Sequence, residues 1–280
     1  MYTLETVIVD MAGNEVTDTR TFSVNRFGSV YVYDDDTKDL MDDFYTNKEK
    51  DLVITEINVD TLEFVEIDSS IDGEITTLEE GKDYEVKKAY TDKQWRAYEY
   101  HIPATNFEKE GAYVVTIYSE DRAENKSSNK AKGKELNFVV DKTAPTIVVG
   151  GIEDGGQYRE ANREITLDVE DNVLLKTVDV YVNGAIVKTV AQEELLTENG
   201  RIKVNLKGSN KKQVLTVQSK DAAGNHAESK AVSFLITPNI FVQWYTNKPI
   251  FIGSILVMAG AVGFIFFRRR KLTVPPSTTA

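Results

Sequence analysis

Six carboxylates fall within ten residues at Asp34, Asp35, Asp36, Asp39, Asp42 and Asp43, the densest set of potential metal ligands in the chain. Calcium takes six to eight oxygens from such groups, but the Asp-x-Asp-x-Asp-Gly order of a helix-loop-helix calcium site is absent. The expectation is a solvated acidic loop that holds no metal, with Asp34, Asp36 and Asp39 the ligands if calcium were held there. Other chemistry is scarcer. The 280 residues include no cysteine and only two histidines, His101 and His226, so thiolate nucleophiles and Cys-ligated zinc are excluded. No Gly-x-Ser-x-Gly elbow, His-Glu-x-x-His pair or phosphate loop occurs. The reading is therefore of a non-enzyme without cofactor. A net charge of −12 argues against nucleic acid as a partner.

A second polar pattern recurs. Tyr2 to Asn14, Tyr113 to Asn125 and Gln213 to Asn225 align without gaps and end on Asp-x-Ala-Gly-Asn or a near copy: Asp10, Gly13, Asn14; Asp121, Asn125; Asp221, Gly224, Asn225. Aspartate can accept backbone N–H groups two residues on, glycine supplies positive φ, and asparagine tolerates a left-handed conformation, which together make a chain reversal. The apolar residues before each aspartate alternate with period two, and Phe22, Phe138 and Phe234 mark a returning strand, so each copy reads as a hairpin. These aspartates are read as structural, with a calcium or ligand role as the alternative. The middle copy has Glu124 where the others have glycine and a longer return, which predicts a looser loop. The aspartates stand 111 and 100 residues apart (10, 121 and 221), the period of whole domains.

Strands are predicted at 146–149, 164–169, 178–182, 185–189, 202–206, 214–219 and 232–236, with Asn183-Gly184 as a two-residue hairpin turn. Seven short strands in under 100 residues describe a β-sandwich. Thr143 to Ile147, Gly155 with Tyr158, Asp171-Asn172, Val180 to Gly184 and Asp221 to Asn225 resemble the bacterial immunoglobulin-like repeats of Gram-positive surface proteins. That resemblance covers 143–238 well and 26–142 more thinly. It implies stalks, spacers and adhesion modules without catalysis, a fold that rarely encloses the cleft a glycosidase carboxylate pair would need. The Leu-Pro-x-Thr-Gly sorting motif of such proteins is absent between Thr237 and Pro249. In the 26–142 unit, Trp95, Tyr98 and Tyr100 are read as a core face, with an aromatic binding strip as the alternative.

From Ile250 to Phe267 the chain runs 18 residues without a charge, about 27 Å of helix against a hydrocarbon core of ~30 Å. Trp244 and Tyr245 precede it as an interfacial belt, and Arg268, Arg269, Arg270 and Lys271 follow, which places the C-terminus in the cytoplasm and the rest outside. The expected fold class is all-β: tandem Ig-like sandwiches followed by one C-terminal transmembrane helix. The expected divisions are 1–25, the last hairpin of a truncated Ig-like domain; 26–142 and 143–238, sandwiches; 239–249, a juxtamembrane linker; 250–267, the membrane helix; and 268–280, a cytoplasmic tail. A lone hairpin is marginal in water, and no secretion signal opens the chain, so the natural polypeptide is expected to continue upstream. The function expected is the membrane-proximal stalk and anchor of a bacterial surface protein. The alternatives are the anchor of a surface hydrolase, or Ig-like modules that bind an extracellular host protein or glycan themselves; the lipid bilayer is the partner common to all.

Overall fold

A computed structural model describes residues 2–22, 24–93 and 95–272, with side chains to Arg269. The chain divides into two compact units, Met1–Thr143 with Ala222–Asn225, and Ala144–Asp221 with His226–Ala280.

The first unit opens with a hairpin, β1 (Tyr2–Val9) and β2 (Glu15–Phe22), paired in register from Tyr2 with Phe22 to Val9 with Glu15 and exposed along both strands. A sandwich follows: β3 (Val30–Tyr33), α1 (Asp35–Asp43), β4 (Tyr45–Thr46), β5 (Leu52–Asn58), β6 (Leu62–Ile71), β7 (Glu74–Leu78), β8 (Glu85–Tyr90), β9 (Arg96–Ile102), β10 (Gly111–Asp121), β11 (Lys126–Ser128) and β12 (Leu136–Val140). One sheet runs β3-β5-β9-β8, and the other β4-β12-β10-β6-β7, with β11 on β10 and β4 parallel to β12. This is the immunoglobulin order, A-B-E-D against G-F-C with an added C′ strand and the first strand shared between sheets. Alternation drives it. In β5 every second residue is buried, placing Leu52 and Ile54 on the face that meets Ile117, Phe138 and Val140.

The second unit holds β13 (Thr146–Gly150), β14 (Gly156–Tyr158), β15 (Asn162–Glu170), β16 (Leu175–Val182), β17 (Ala185–Ala191), α2 (Gln192–Thr197), β18 (Arg201–Lys207), β19 (Gln213–Asp221), β20 (His226–Glu228) and β21 (Val232–Ile236). The sheets β13-β15-β18 and β14-β21-β19-β16-β17 repeat the pattern, with α2 in place of the D strand. Asn183 and Gly184 both take positive φ, 52° and 78°, as a type I′ turn requires. Ile165, Leu167, Val180, Val217 and Phe234 form a separate core. Then come α3 (Ile240–Thr246) and α4 (Lys248–Leu272). The fold is all-β with tandem Ig-like sandwiches and one long apolar C-terminal helix.

Three expectations change. The acidic stretch is a helix rather than a loop: Asp34 caps it by accepting from the Thr37 N–H at 2.9 Å, and Asp35 and Asp36 occupy the first turn, where the helix dipole favours negative charge. The segment 239–249 is not a plain linker, because Asn239 caps α3 within it. Tyr98 and Tyr100 are core residues, but Trp95 precedes β9 and is exposed, since a spacing of three from Tyr98 cannot share its face.

The aspartate turn and the polar cluster beneath it

The recurring aspartate builds its turn from one carboxylate. Asp10 Oδ1 accepts the N–H groups of Ala12 (2.8 Å) and Asn14 (2.9 Å), and Oδ2 accepts the Asn14 side-chain amide (2.7 Å), while Gly13 takes φ 85°. Asp121 repeats the bonds to Ala123 (2.9 Å) and Asn125 (3.0 Å). Glu124 supports the same turn at φ 62°, donating to the Asp121 carbonyl at 2.8 Å as Gly13 donates to Asp10 at 3.0 Å. The looser loop predicted for this copy is therefore a closed turn, because the aspartate bonds outweigh the cost of a left-handed glutamate. Gly224 of the third copy takes φ 96°. The Asn14 side-chain amide, followed by its backbone N–H, holds the Asp10 carboxyl below the usual range.

What surrounds the aspartate differs between copies. Asp10 is exposed, whereas Asp121 is buried and its Oδ2 also accepts from the amides of Asn25 (2.7 Å), Asn58 (3.3 Å) and Asn125 (3.0 Å). Asn25 donates as well to Asn58 Oδ1 (2.9 Å), Asn58 donates to Ser29 (3.0 Å), and Asn125 reaches the Asn25 carbonyl (2.8 Å). Asp60 beside them caps Thr61 (2.8 Å) and pairs with Arg122 at 3.1 Å. Every side-chain donor here is an N–H, so the cluster is a hydrogen-bonded clasp that joins Asn25, three residues past β2, the end of β5 and the turn after β10. Within the same unit, Asn225 donates to the carbonyls of Asp141 (2.9 Å) and Thr143 (3.2 Å). In the second unit Asp171 and Asp221 bring carboxylate oxygens within 4.8 Å of each other, and Asp171 also caps Val173 (2.9 Å) and Leu174 (2.8 Å). Two carboxylates so placed have the chemistry of cation ligands.

Under this clasp, Glu56 has no solvent contact and accepts from the hydroxyls of Tyr31 (3.3 Å), Tyr100 (2.9 Å) and Ser119 (2.5 Å). Burial first and the Glu56 charge second push both phenols above their ordinary range, so they stay protonated donors. Sequence reasoning missed Glu56, Asn58 and Asn25. The signal was available for two of them, because Glu56 and Asn58 share parity with Leu52 and Ile54 in β5.

Of the acidic calcium candidates, Asp34 is engaged as a helix cap, while Asp36 and Asp39 lie on α1. Trp244 and Tyr245 lie on α3 and both pack against Phe251, with ring centroids 4.8 and 5.3 Å apart. Ile250, Phe267, Arg268 and Arg269 lie on α4; the side chains of Arg270 and Lys271, and residues 273–280 of the expected tail, fall outside the described set. The helix is long and apolar enough to cross a bilayer, with mean hydropathy 2.5 over its 18-residue apolar window.

Strand order and the two separate cores define a chain of serial Ig-like modules; several solved structures are distantly similar to it. The fibronectin(III)-like modules of CbhA from Clostridium thermocellum align over 74% of this chain and 94% of their own, at 12% identity and TM-score 0.33. A tetra-tandem repeat from the extending region of a large adhesion protein aligns over 84% of this chain and 56% of its own, at 15% identity and TM-score 0.34. Murine CEACAM1b aligns over 69% and 96%, at 12% identity and TM-score 0.36. No protein-family profile matches the chain, and no curated protein does.

Proposed function

We propose that this chain is the non-catalytic, membrane-proximal stalk and anchor of a bacterial cell-surface protein. The observation that carries the reading is the succession of two Ig-like sandwiches and a 22-residue apolar helix, none of it buried against protein. A core helix of a soluble domain would hide such a surface, and a hydrocarbon core accommodates it. Arg268 and Arg269 at its far end favour a cytoplasmic C-terminus, with both sandwiches outside. Protease added to intact cells is expected to digest the sandwiches and spare an epitope fused after Ala280. Loss of the epitope with the sandwiches intact reverses the orientation.

A second reading, binding of an extracellular protein or glycan, has one supporting feature in the first unit. Phe27, Val30, Val59 and Trp95 line a largely apolar recess of about 740 Å³ flanked by Lys132 and Lys134. Aromatic rings beside an apolar hollow suit a sugar face or an apolar side chain. Binding of residues 24–238 to glycan and matrix-protein panels, lost with Trp95→Ala, supports it; a flat response leaves the stalk alone.

A further inference from the structure

Helix α3 joins α4 through Asn247 alone, which leaves helical geometry at φ −82°, ψ 86°. In one continuous helix Trp244 and Ser254 would stand ~15 Å apart along the axis. Here Trp244 Nε1 donates to Ser254 Oγ at 2.8 Å, and Trp244 and Tyr245 both pack edge-on to Phe251. So α3 is folded back beside the first turns of α4.

Its surface is unusual for a segment in water. Ile240, Phe241 and Tyr245 are 50%, 76% and 66% exposed. Its polar side chains, by contrast, are bonded inward. Gln243 donates to the Thr237 carbonyl (3.0 Å), Thr246 to the Val242 carbonyl (2.7 Å), and Asn239 accepts from Phe241 and Val242 at 3.0 and 3.4 Å. The other polar side chains of α3 thus have partners within the protein, while Ile240, Phe241 and the Tyr245 ring leave half or more of their surface exposed.

Depth follows from α4. Counted back from Phe267, Ser254 lies thirteen residues in, about 20 Å at ~1.5 Å per residue, hence about 10 Å below the outer edge of a ~30 Å core. An interfacial helix sinks its apolar face about 5–10 Å into the boundary between headgroups and acyl chains. From these coincident depths we propose that α3 is a membrane-interface helix, embedded in the outer leaflet and locked to the spanning helix by the Trp244–Ser254 bond. The lock continues upward: Asn239 N–H donates to Thr237 Oγ1 (3.1 Å), and buried Thr237 bonds Asn210 (2.8 Å) and the Tyr158 carbonyl (2.9 Å). The second sandwich is thereby seated on the bilayer by capped, hydrogen-bonded backbone instead of a free tether.

The proposal rests on α4 spanning the membrane, and one experiment separates the two claims. With two tryptophans in the chain, the full chain carrying Trp95→Phe leaves Trp244 as sole reporter; it is reconstituted in phosphatidylcholine vesicles brominated either high on the acyl chain or near its end. The expected result is flotation with the vesicles, blue-shifted emission, and stronger quenching by the high bromines than by the deep ones. Flotation with red-shifted, unquenched emission means α3 stands in water and overturns the proposal while sparing the anchor. Flotation with blue-shifted but unquenched emission means another copy of the chain covers α3, which also overturns it. Failure to float removes the spanning reading and this proposal with it. As a further readout, Ser254→Ala is expected to shift Trp244 emission while leaving flotation unchanged.

Discussion

Ser119 and Ser219 occupy the same place in the repeat, two residues before the turn aspartate, and both are buried. Ser119 donates to Glu56; Ser219 Oγ has no partner among the described residues, where Ile165, Leu167 and Val169 supply only apolar side chains to that core. A buried hydroxyl that loses its bond or never had one costs roughly 1–3 kcal/mol. Ser119→Ala is therefore expected to destabilise the first unit by about 1–3 kcal/mol, since Glu56 loses a donor. Ser219→Ala is expected to leave the second unit unchanged or more stable. Urea unfolding followed through signals of each unit checks both, and equal effects would contradict the assignment. The turn aspartates differ in the same way. Asp10 is held below the ordinary carboxyl range by the Asn14 side chain. A lowered folded-state value means that its contribution is present above the unfolded value and lost as pH falls through the lowered one. Carbon NMR of the Asp10 carboxyl should show a midpoint below that of a free aspartate, and Asn14→Ala should bring it back up.

At the level of elements, the left-handed position of the same turn is filled by glycine in two copies and by glutamate in one. A left-handed L-residue costs roughly 1–2 kcal/mol, and glycine loses roughly 0.5–1 kcal/mol of that advantage through chain entropy. Glu124→Gly is thus expected to stabilise the first unit by up to about 1 kcal/mol, and a melting-temperature drop would count against the turn geometry described. The hairpin β1–β2 pairs only with itself among the described strands and is exposed throughout. Two strands without a facing sheet are marginal in water. Its amides should exchange orders of magnitude faster than those of β5 and β10. The seven predicted strands of 143–238 were legible because alternation over five or more residues is a strong signal. β14 and β20, at three residues each, carry too few periods to read. α1 was hidden by its acidity: six aspartates look like a loop until Asp34 is read as a cap and Leu40, three residues after Thr37, as the buried stripe. The clasp was not legible, because Asn25, Asn58 and Asp121 meet through side-chain hydrogen bonds between residues 33 to 96 apart in sequence.

For the molecule as a whole, each sandwich closes its own core: Leu52, Ile54, Tyr100, Ile117 and Phe138 among others in the first, Ile165, Leu167, Val180, Val217 and Phe234 among others in the second. Each unit therefore stands on its own burial and hydrogen bonds. With no cysteine in the chain, neither unit has a disulfide to constrain its unfolded state. Ile54 is fully buried in β5, and truncating such a side chain to alanine typically costs about 2–5 kcal/mol from lost transfer energy and the cavity left behind. In a domain of about 100 residues each kcal/mol moves the melting temperature by roughly 4–8 °C. Ile54→Ala is accordingly expected to lower the transition of the first unit by about 10 °C or more, while the exchange protection of Val180 and Val217 amides in the second stays as it was. Parallel loss of protection at Val180 and Val217 would mean that the two cores melt as one cooperative body, and the description of the chain as a series of independently folded modules would have to be given up.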